Sequence, residues 1–319
     1  MLKELKFVMG AVAKKDFLPA LTHFVIEGGK VRGFNGTLAL CSPIALDVTC
    51  KPKALQLVAA IANCNETVQL TMTPKGRLSI KSGAFKALVD CVEEDTLHAQ
   101  PEGDRVELDG TALLNGLKVL APFIGDDASR QWSNGVLLSG QSAFATNNVM
   151  IAEYWIGAAF PSVVNIPRAA VKEMLRINEA PVYAQMVEGN SITFHYTDGR
   201  WLRTQLYVTE WPDLGRVLNV ESKQEPIDER LYAGLKVMKP FVDKMGRIYF
   251  EDGMITTHID PDEADSTYVV PDLHHDGLYN IEMLASLEGV AKSIDFSAYP
   301  KACIFMGERL RGALIGMRK

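Results

Sequence analysis

The chain has 319 residues, 47% of them hydrophobic and 23% charged, with a net charge of −6. That balance fits an ordinary water-soluble protein with room for two or three domains. No apolar run reaches the roughly 18 residues of a membrane span, and the opening MLKELKFVMG is too short in apolar residues for a secretory signal, so the expected location is the cytoplasm.

In chain order, residues 2–15 carry apolar side chains three and four apart (Leu2, Leu5, Val8, Met9, Val12), the period of an amphipathic helix. THFVIEGGKVRGF (22–34) then alternates around glycines as a β-hairpin does. KPKALQLVAAIANC (51–64) is a second helix pattern, and VQLTMTPKGRLSIKSGAFKALVDCV (68–92) is read as two strands. The series returns at 109–124, with Leu113, Leu114, Leu117 and Leu120, followed by strands in NGVLLSGQSAFATNN (134–148). A helix at 167–178 follows, with strands over 182–208. It returns again as a helix at 227–244, strands in GRIYFEDGMITTHI (246–259), a helix at 280–293 and strands in KACIFMGERLRGALIGM (301–317).

Short identities support this repetition. LKVLAPFI (117–124) and LKVMKPFV (235–242) agree at five of eight positions, and LKFVMGAV (5–12) shares the Leu-Lys opening and the apolar pattern. A period above 100 residues is domain-sized and far longer than a solenoid repeat. The fold class expected is α+β, as three copies of one domain at about 1–105, 106–221 and 222–319.

Charge is distributed unevenly. The six helix windows hold 15 Lys and Arg against 8 Asp and Glu, and the remaining chain holds 18 against 31. Helices sharing one face would attract a polyanion there and repel it elsewhere. Arg168, Lys172 and Arg176, spaced by four, form a stripe on one helix side, while Val171, Met174 and Leu175 point toward the core. Lys236 and Lys239, like Lys3 and Lys6, are spaced by three. A merely solvated helix face is the plain alternative for each stripe. Phosphate contacts made this way give salt-sensitive binding without sequence preference.

Other chemistry is weakly marked. Five cysteines (Cys41, Cys50, Cys64, Cys91, Cys303), odd in number and without C-x-x-C, indicate reduced thiols and neither a disulfide frame nor a zinc site. His274, His275 and Asp276 lack a third spaced ligand group, so no metal is expected. DPDEAD (260–265) lacks the Gly and terminal Glu of a calcium loop. EGGKVRGFNG (27–36) lacks the P-loop spacing. No nucleophile–base signature appears, and no cofactor or catalytic residue is expected.

Taken together, FLPALTHFVIE (17–27), WSNGVLLS with FATNNVMIAEYW, IPRAAVKEMLR (166–176), TEWPDLGRVL (209–218) and the ending LRGALIGMRK resemble the bacterial DNA sliding clamps, the DNA polymerase III beta subunit family, over the whole chain. The chain is shorter than typical members, in keeping with a compact or phage-encoded form.

The resemblance implies a head-to-tail homodimer whose six clamp domains, each two helices on antiparallel sheets, form a ring around duplex DNA. The partners it implies are double-stranded DNA, a replicative polymerase and a clamp loader, with no membrane. It assigns DNA contact to Lys15 before DFLPAL and to Arg130, Gln131 and Trp132 before SNGVLL, while the basic bias of the helices points to Lys53, Lys118, Arg168, Lys172, Arg176, Lys236 and Lys239 as further DNA contacts. Core packing is the alternative for Trp132.

A partner-peptide pocket between the second and third domains is implied at Thr146, Asn148, Val149, Met150, Ile151, Pro212, Val217, Leu314, Ile315, Met317 and Arg318. Simple core packing is again the alternative for its apolar members. The sequence departs from the family where Thr-Asn-Asn-Val-Met-Ile replaces a stretch that usually carries His-Arg, and where Gly316 replaces a usual proline. Two other classes compete with a clamp: a metal-dependent nuclease, which needs clustered acidic ligands, and a scaffold that binds only proteins, which the basic helices argue against.

Overall fold

The computed structural model describes residues 1–16, 18–94 and 99–318. Phe17, which opens FLPALTHFVIE, and Lys319, which closes the tail, lie outside the described residues.

The first third begins with α1 (Leu2–Val8), which tightens into a 3-10 turn (Met9–Ala11), and continues through β1 (Val25–Glu27), β2 (Lys30–Phe34) and β3 (Leu38–Pro43). Then come α2 (Ala54–Ala62), β4 (Gln69–Met72), β5 (Leu78–Ser82) and β6 (Phe85–Val89).

The middle third holds β7 (Asp104–Glu107), α3 (Gly110–Leu120) with a 3-10 turn (Ala121–Phe123), β8 (Gly135–Ser139), β9 (Ser142–Thr146) and β10 (Met150–Trp155). It goes on with β11 (Val164–Pro167), α4 (Arg168–Ile177), β12 (Tyr183–Val187), β13 (Ser191–His195), β14 (Trp201–Gln205) and the short α5 (Gly215–Leu218).

The last third has β15 (Glu225–Pro226), α6 (Glu229–Met238) with its 3-10 turn (Lys239–Phe241), β16 (Arg247–Glu251), β17 (Met254–Thr256), β18 (Thr267–Val269) and β19 (Gly277–Asn280). It ends with α7 (Ile281–Ala285), β20 (Ala291–Ile294), β21 (Ala302–Gly307) and β22 (Leu310–Ile315).

The apolar spacing of the helices matches their buried faces. Leu113, Leu117 and Leu120 of α3 are all buried, as are Leu5 and Val8 of α1. The repeated Leu-Lys octads are one device: in all three, an α-helix closes as a 3-10 turn.

Four expectations fail in detail. The helix expected over 280–293 stops at Ala285, because Ser286 turns its hydroxyl back to the Met283 carbonyl and Gly289 adopts φ +74, so residues 291–294 form β20 instead. Each second half therefore has three strands, not two: β4–β6, β12–β14 and β20–β22. Residues 12–15 also leave the helix, and 51–53 pair as extended chain before α2.

The chain divides into two compact units, Met1–Leu114 with Ile166–Val208, and Asn115–Asn165 with Thr209–Lys319. The first is built on a seven-stranded sheet ordered β1-β2-β3-β14-β13-β12-β7, and the second on an eight-stranded sheet ordered β11-β8-β9-β10-β22-β21-β20-β15. Each long sheet is two half-sheets sewn together along one antiparallel seam. β3 meets β14 with Leu40 opposite Leu202, and β10 meets β22 with Ile151 opposite Ala313.

Two smaller sheets, β4-β5-β6 and β18-β17-β16-β19, remain as half-sheets without such a seam. Each core fills the space between helix faces and sheets: Leu5, Phe24, Ile26 and Leu40 in the first unit, and Phe123, Phe250, Tyr279 and Phe305 in the second. Burying one such side chain contributes roughly 1.5–3 kcal/mol. Among the described residues, no helix is long and apolar enough to cross a membrane.

Candidate nucleic-acid interface and partner site

The helices that form keep the basic bias in smaller measure. The six repeated helices carry Lys3, Lys6, Lys118, Arg168, Lys172, Arg176, Arg230 and Lys236 against Glu4, Glu173, Glu229 and Glu282.

On α4, Ala170, Val171 and Met174 are fully buried, Leu175 is partly buried, and Lys172 projects from the opposite side. The helix closes on Asn178 in the left-handed conformation. Arg168 is half-buried at its start. Arg176 is committed to the protein: its Nε donates to both Glu173 oxygens (2.9 and 3.0 Å), and its Nη atoms donate to the carbonyls of Lys6 (3.2 Å) and Phe7 (2.7 Å). A guanidinium placed on the last carbonyls of α1 satisfies acceptors that a helix end leaves open.

Beside it Arg200, only 7% exposed, donates to Asp198 (2.5 Å) and Glu179 and lies 4.7 Å over the Phe7 ring. Burial works against the Arg200 charge, yet those two carboxylates hold its pKa above the usual value. Asp198 is correspondingly lowered: burial opposes its charge, and the Arg200 hydrogen bonds outweigh it. Leu2, Lys3, Lys6, Phe7, Arg176, Ile177 and Arg200 line an open cleft of about 420 Å³ that mixes apolar and cationic side chains. Arg200 has no sequence signal, because it sits in a hairpin turn, TDGR, like any polar turn residue.

The other expected DNA residues are scattered by element. Lys15 is exposed in the loop after α1, Lys53 at the N-cap of α2, and Lys118 on α3. Lys236 and Lys239 are exposed but paired with Glu288 (2.6 Å) and Glu282 (2.8 Å). Such surface pairs are worth about 0–1 kcal/mol and are screened by salt, so both lysines can exchange partners. Arg130 and Gln131 are exposed, and Trp132 is half-buried. The Trp132 ring meets Trp211 edge-on (5.3 Å, 68°), and its carbonyl accepts from Asn165 Nδ2 (3.0 Å). This is a packed aromatic pair, and the pairing with Trp211 was not visible in sequence.

Within the second unit, three segments distant in sequence meet. Thr146 Oγ1 donates to the Met150 carbonyl (2.6 Å) and accepts from the Asn148 N–H (3.1 Å), closing a turn in which Asn148 takes φ 71. Beyond the turn β10 pairs with β22, with Met150 opposite Leu314, and Ile315 N–H reaches the Val149 carbonyl (3.0 Å). α5 lays Leu218 on the same seam, where Ile151, Ile304 and Ala313 form a buried cluster flanked by Phe144, Leu214 and Met306.

Thr146, Met150, Ile151, Leu218 and Leu314 are therefore interior supports. Among the expected pocket residues, Val149 (38% exposed), Val217 (36%) and Ile315 (49%) are the solvent-facing apolar side chains, with Pro212 and Arg318 also exposed and Asn148 and Met317 half-buried. Met317 is held by its N–H to the Leu278 carbonyl (2.7 Å) and by Tyr299 Oη on its own carbonyl (2.9 Å).

The motifs set aside as weak have structural uses. His275 Nε2 lies 3.1 Å from Glu225, and the Asp260 side chain caps the 3-10 turn Pro261–Glu263. Among the described residues, no three His, Cys, Asp or Glu side chains are gathered as a metal would need.

This layout, with long sheets made of half-sheets and helices repeated in register, is the fold of the DNA sliding clamps. No family model matches the sequence, and no curated protein matches it. Solved structures it resembles include bacterial DNA polymerase III beta clamps. Against the sliding clamp of Bacillus subtilis the TM-score is 0.83 at 14% identity, covering 100% of this chain and 97% of that one. A Pseudomonas aeruginosa clamp bound to griselimycin gives 0.81 at 17% identity with the same coverage. A Helicobacter pylori clamp bound to a DNA ligase peptide gives 0.80 at 13%, covering 99% and 97%.

Proposed function

We propose that the chain is a sliding clamp, a non-catalytic ring of two head-to-tail copies that encircles duplex DNA without reading its sequence and tethers a polymerase and a clamp loader. In this reading the domains are the three repeats at 1–105, 106–221 and 222–319, and the protein works on DNA in the cytoplasm.

The observation that carries the proposal is the pair of unfinished half-sheets. Both internal seams join the third strand of one meander (β3, β10) to the last strand of another (β14, β22). Applied to the remaining halves, the same rule pairs β18 of one copy with β6 of the next. Leu88 on β6 (41% exposed) and Val269 on β18 (60%) fit edges awaiting a partner.

The repeat supports the same junction. Phe123 is fully buried and stacks on Phe305 (5.9 Å), whereas its counterpart Phe241 is 49% exposed, alongside Val237 and Met245. A contact that pairs unlike edges closes as a ring when its rotation allows.

DNA then lies against the basic helix faces, with Lys3, Lys6, Lys53, Lys118, Lys172, Lys236 and Lys239 as the mobile cations, Arg168 at the α4 start, and Lys15, Arg130 and Gln131 in loops. The surface of Val149, Val217 and Ile315, with Asn148, Pro212, Met317 and Arg318 around it, is proposed to take short partner peptides, for which a small apolar cleft with few polar groups is suited.

The test is the mass of the native assembly by light scattering, with wild type expected at twice the 35.1 kDa chain mass and Phe241→Asp at the monomer mass. A stable wild-type monomer or trimer overturns the ring. Cleavage of a labelled duplex on adding magnesium would favour a nuclease instead.

A further inference from the structure

The ladder between β10 and β22 ends at Met150 opposite Leu314. The residues that follow are held at three points. Ile315 N–H donates to the Val149 carbonyl (3.0 Å), Met317 N–H donates to the Leu278 carbonyl of β19 (2.7 Å), and the Met317 carbonyl accepts from Tyr299 Oη (2.9 Å). Between them Gly316 crosses the Tyr299 ring. A β-carbon at 316 would sit 2.6 Å from two ring carbons and 3.2 Å from the Leu278 carbonyl oxygen. The Gly316 backbone is outside the left-handed region, so glycine is needed here for space and not for backbone freedom.

Tyr299 is itself anchored. Its ring lies 5.6 Å from that of Tyr279, tilted by 59°, and Tyr279 is fully buried with its hydroxyl 3.4 Å from Cys303 Sγ. The Tyr299 N–H donates to the Phe296 carbonyl (3.2 Å). Tyr299 is half-buried, and burial raises its pKa above the ordinary tyrosine value, so the hydroxyl keeps the proton it donates to Met317. One side chain thus meets the tail twice, with its face at Gly316 and its hydroxyl at Met317.

We propose that Tyr299 is a positioning residue of the partner surface, clasping the tail so that Ile315 is held beside Val149 before any peptide arrives. The inference rests on the reading of that surface as the peptide site. Tyr299 acts through the tail and not by touching the peptide. A surface fixed in advance binds more tightly than one whose segments must be ordered on binding. Without the clasp, the chain beyond Leu314 keeps the Val149 contact but loses the support that sets its course past Ile315.

The experiment compares wild type with Tyr299→Phe, which keeps the ring and removes the hydroxyl, and with a cycle of Gly316→Ala, Tyr299→Ala and the double variant. Two properties are read: affinity for a fluorescein-labelled Gly-Leu-Leu-Ser-Leu-Ser peptide, whose leucines suit the aliphatic Val149, Val217 and Ile315, and hydrogen exchange of C-terminal peptides containing the Met317 amide.

Tyr299→Phe is expected to bind about fivefold more weakly, as for one lost hydrogen bond, and to speed exchange at the tail while β21 amides are unchanged. Gly316→Ala is expected to weaken binding at least about tenfold in wild type but less than about twofold in Tyr299→Ala, because the obstructing ring is gone. Wild-type affinity and tail protection in Tyr299→Phe overturn the proposal. So do additive effects in the cycle, or exchange that speeds equally in β21, which would make Tyr299 a residue of general stability. If Tyr299→Ala does not fold, the Tyr299→Phe comparison decides alone. Wild type that fails to bind the peptide, with tail exchange as expected, removes the partner surface and this role with it, so that the two failures are told apart.

Discussion

Gly312 of β22 lies so close to Ile151 of β10 that a β-carbon at position 312 would sit 2.4 Å from the Ile151 carbonyl oxygen, and nearer still to the Phe305 ring. Only glycine lets the two strands close at this point of the seam. Gly312→Ala is expected to push the strands apart and to cost about 1–3 kcal/mol, the range for an overpacked interior. Thermal melting checks the stability. If the seam positions the Val149 and Ile315 surface, peptide affinity falls in the same variant at temperatures where it remains folded.

Arg176 and Lys172 belong to the same sequence stripe but have different surroundings. Arg176→Ala strands the buried Glu173 carboxylate and two α1 carbonyls, and is expected to lower stability by about 1–3 kcal/mol. Lys172→Ala is expected to leave melting unchanged and to reduce the salt slope of DNA retention by up to ~0.9, the loss of one phosphate contact. The paired measurement is denaturation beside filter binding across a salt series. A melting loss in Lys172→Ala, or an unchanged slope, removes it from the interface.

That contrast marks where sequence reading stops. A spacing of four puts Arg168, Lys172 and Arg176 on one side of a helix, and the period is local, so it was legible. What Arg176 meets is set by α1, 170 residues away in the chain, and no local pattern encodes that. The octads were legible as repeats for the same local reason, and their shared 3-10 ending follows from them.

The end of α7 is not legible because NIEMLASLEGVAKS keeps helical spacing through Val290, while the stop goes with the Ser286 hydroxyl bond to the Met283 carbonyl and the Gly289 backbone angle. The residues of the proposed partner surface come from the resemblance, and their division into supports (Met150, Leu314) and exposed residues (Val149, Ile315) comes from the β10–β22 register. The Trp132–Trp211 pair joins residues 79 positions apart and had no sequence signal.

His195 supplies a pH test. Its ring stacks on Tyr183 (4.3 Å, 8°), its Nε2 is buried without a partner among the described residues, and burial, with Arg105 nearby, lowers its pKa below the ordinary histidine value. With a depressed folded pKa, the unfolded chain takes up the proton first. Stability is therefore full above about pH 6.5 and falls as pH drops below it, by at most about 1.4 kcal/mol per pH unit for one proton. Melting curves at pH 8 and 5.5 are expected to differ more for the wild type than for His195→Phe, which keeps the stack and cannot titrate. Equal acid sensitivity in both assigns the loss to other groups.

The last prediction separates tethering from assembly. Ile315, Val217 and Val149 expose apolar surface at the end of the β10–β22 seam, and a few such residues dominate the affinity of a short peptide. Ile315→Asp places a charge on an exposed position, so melting should move by less than about 0.5 kcal/mol in stability, while peptide binding and polymerase stimulation fall at least tenfold. Deleting 315–319 also removes the Met317 hydrogen bonds to Leu278 and Tyr299, about 1 kcal/mol each. It is expected to abolish stimulation while the dimer persists, because the proposed closure uses β6 and β18. Light scattering and primer extension with the cognate polymerase read the two properties separately. Full stimulation by the truncated protein would remove the surface from the tethering role, and dissociation to monomers would show that the tail holds the assembly together.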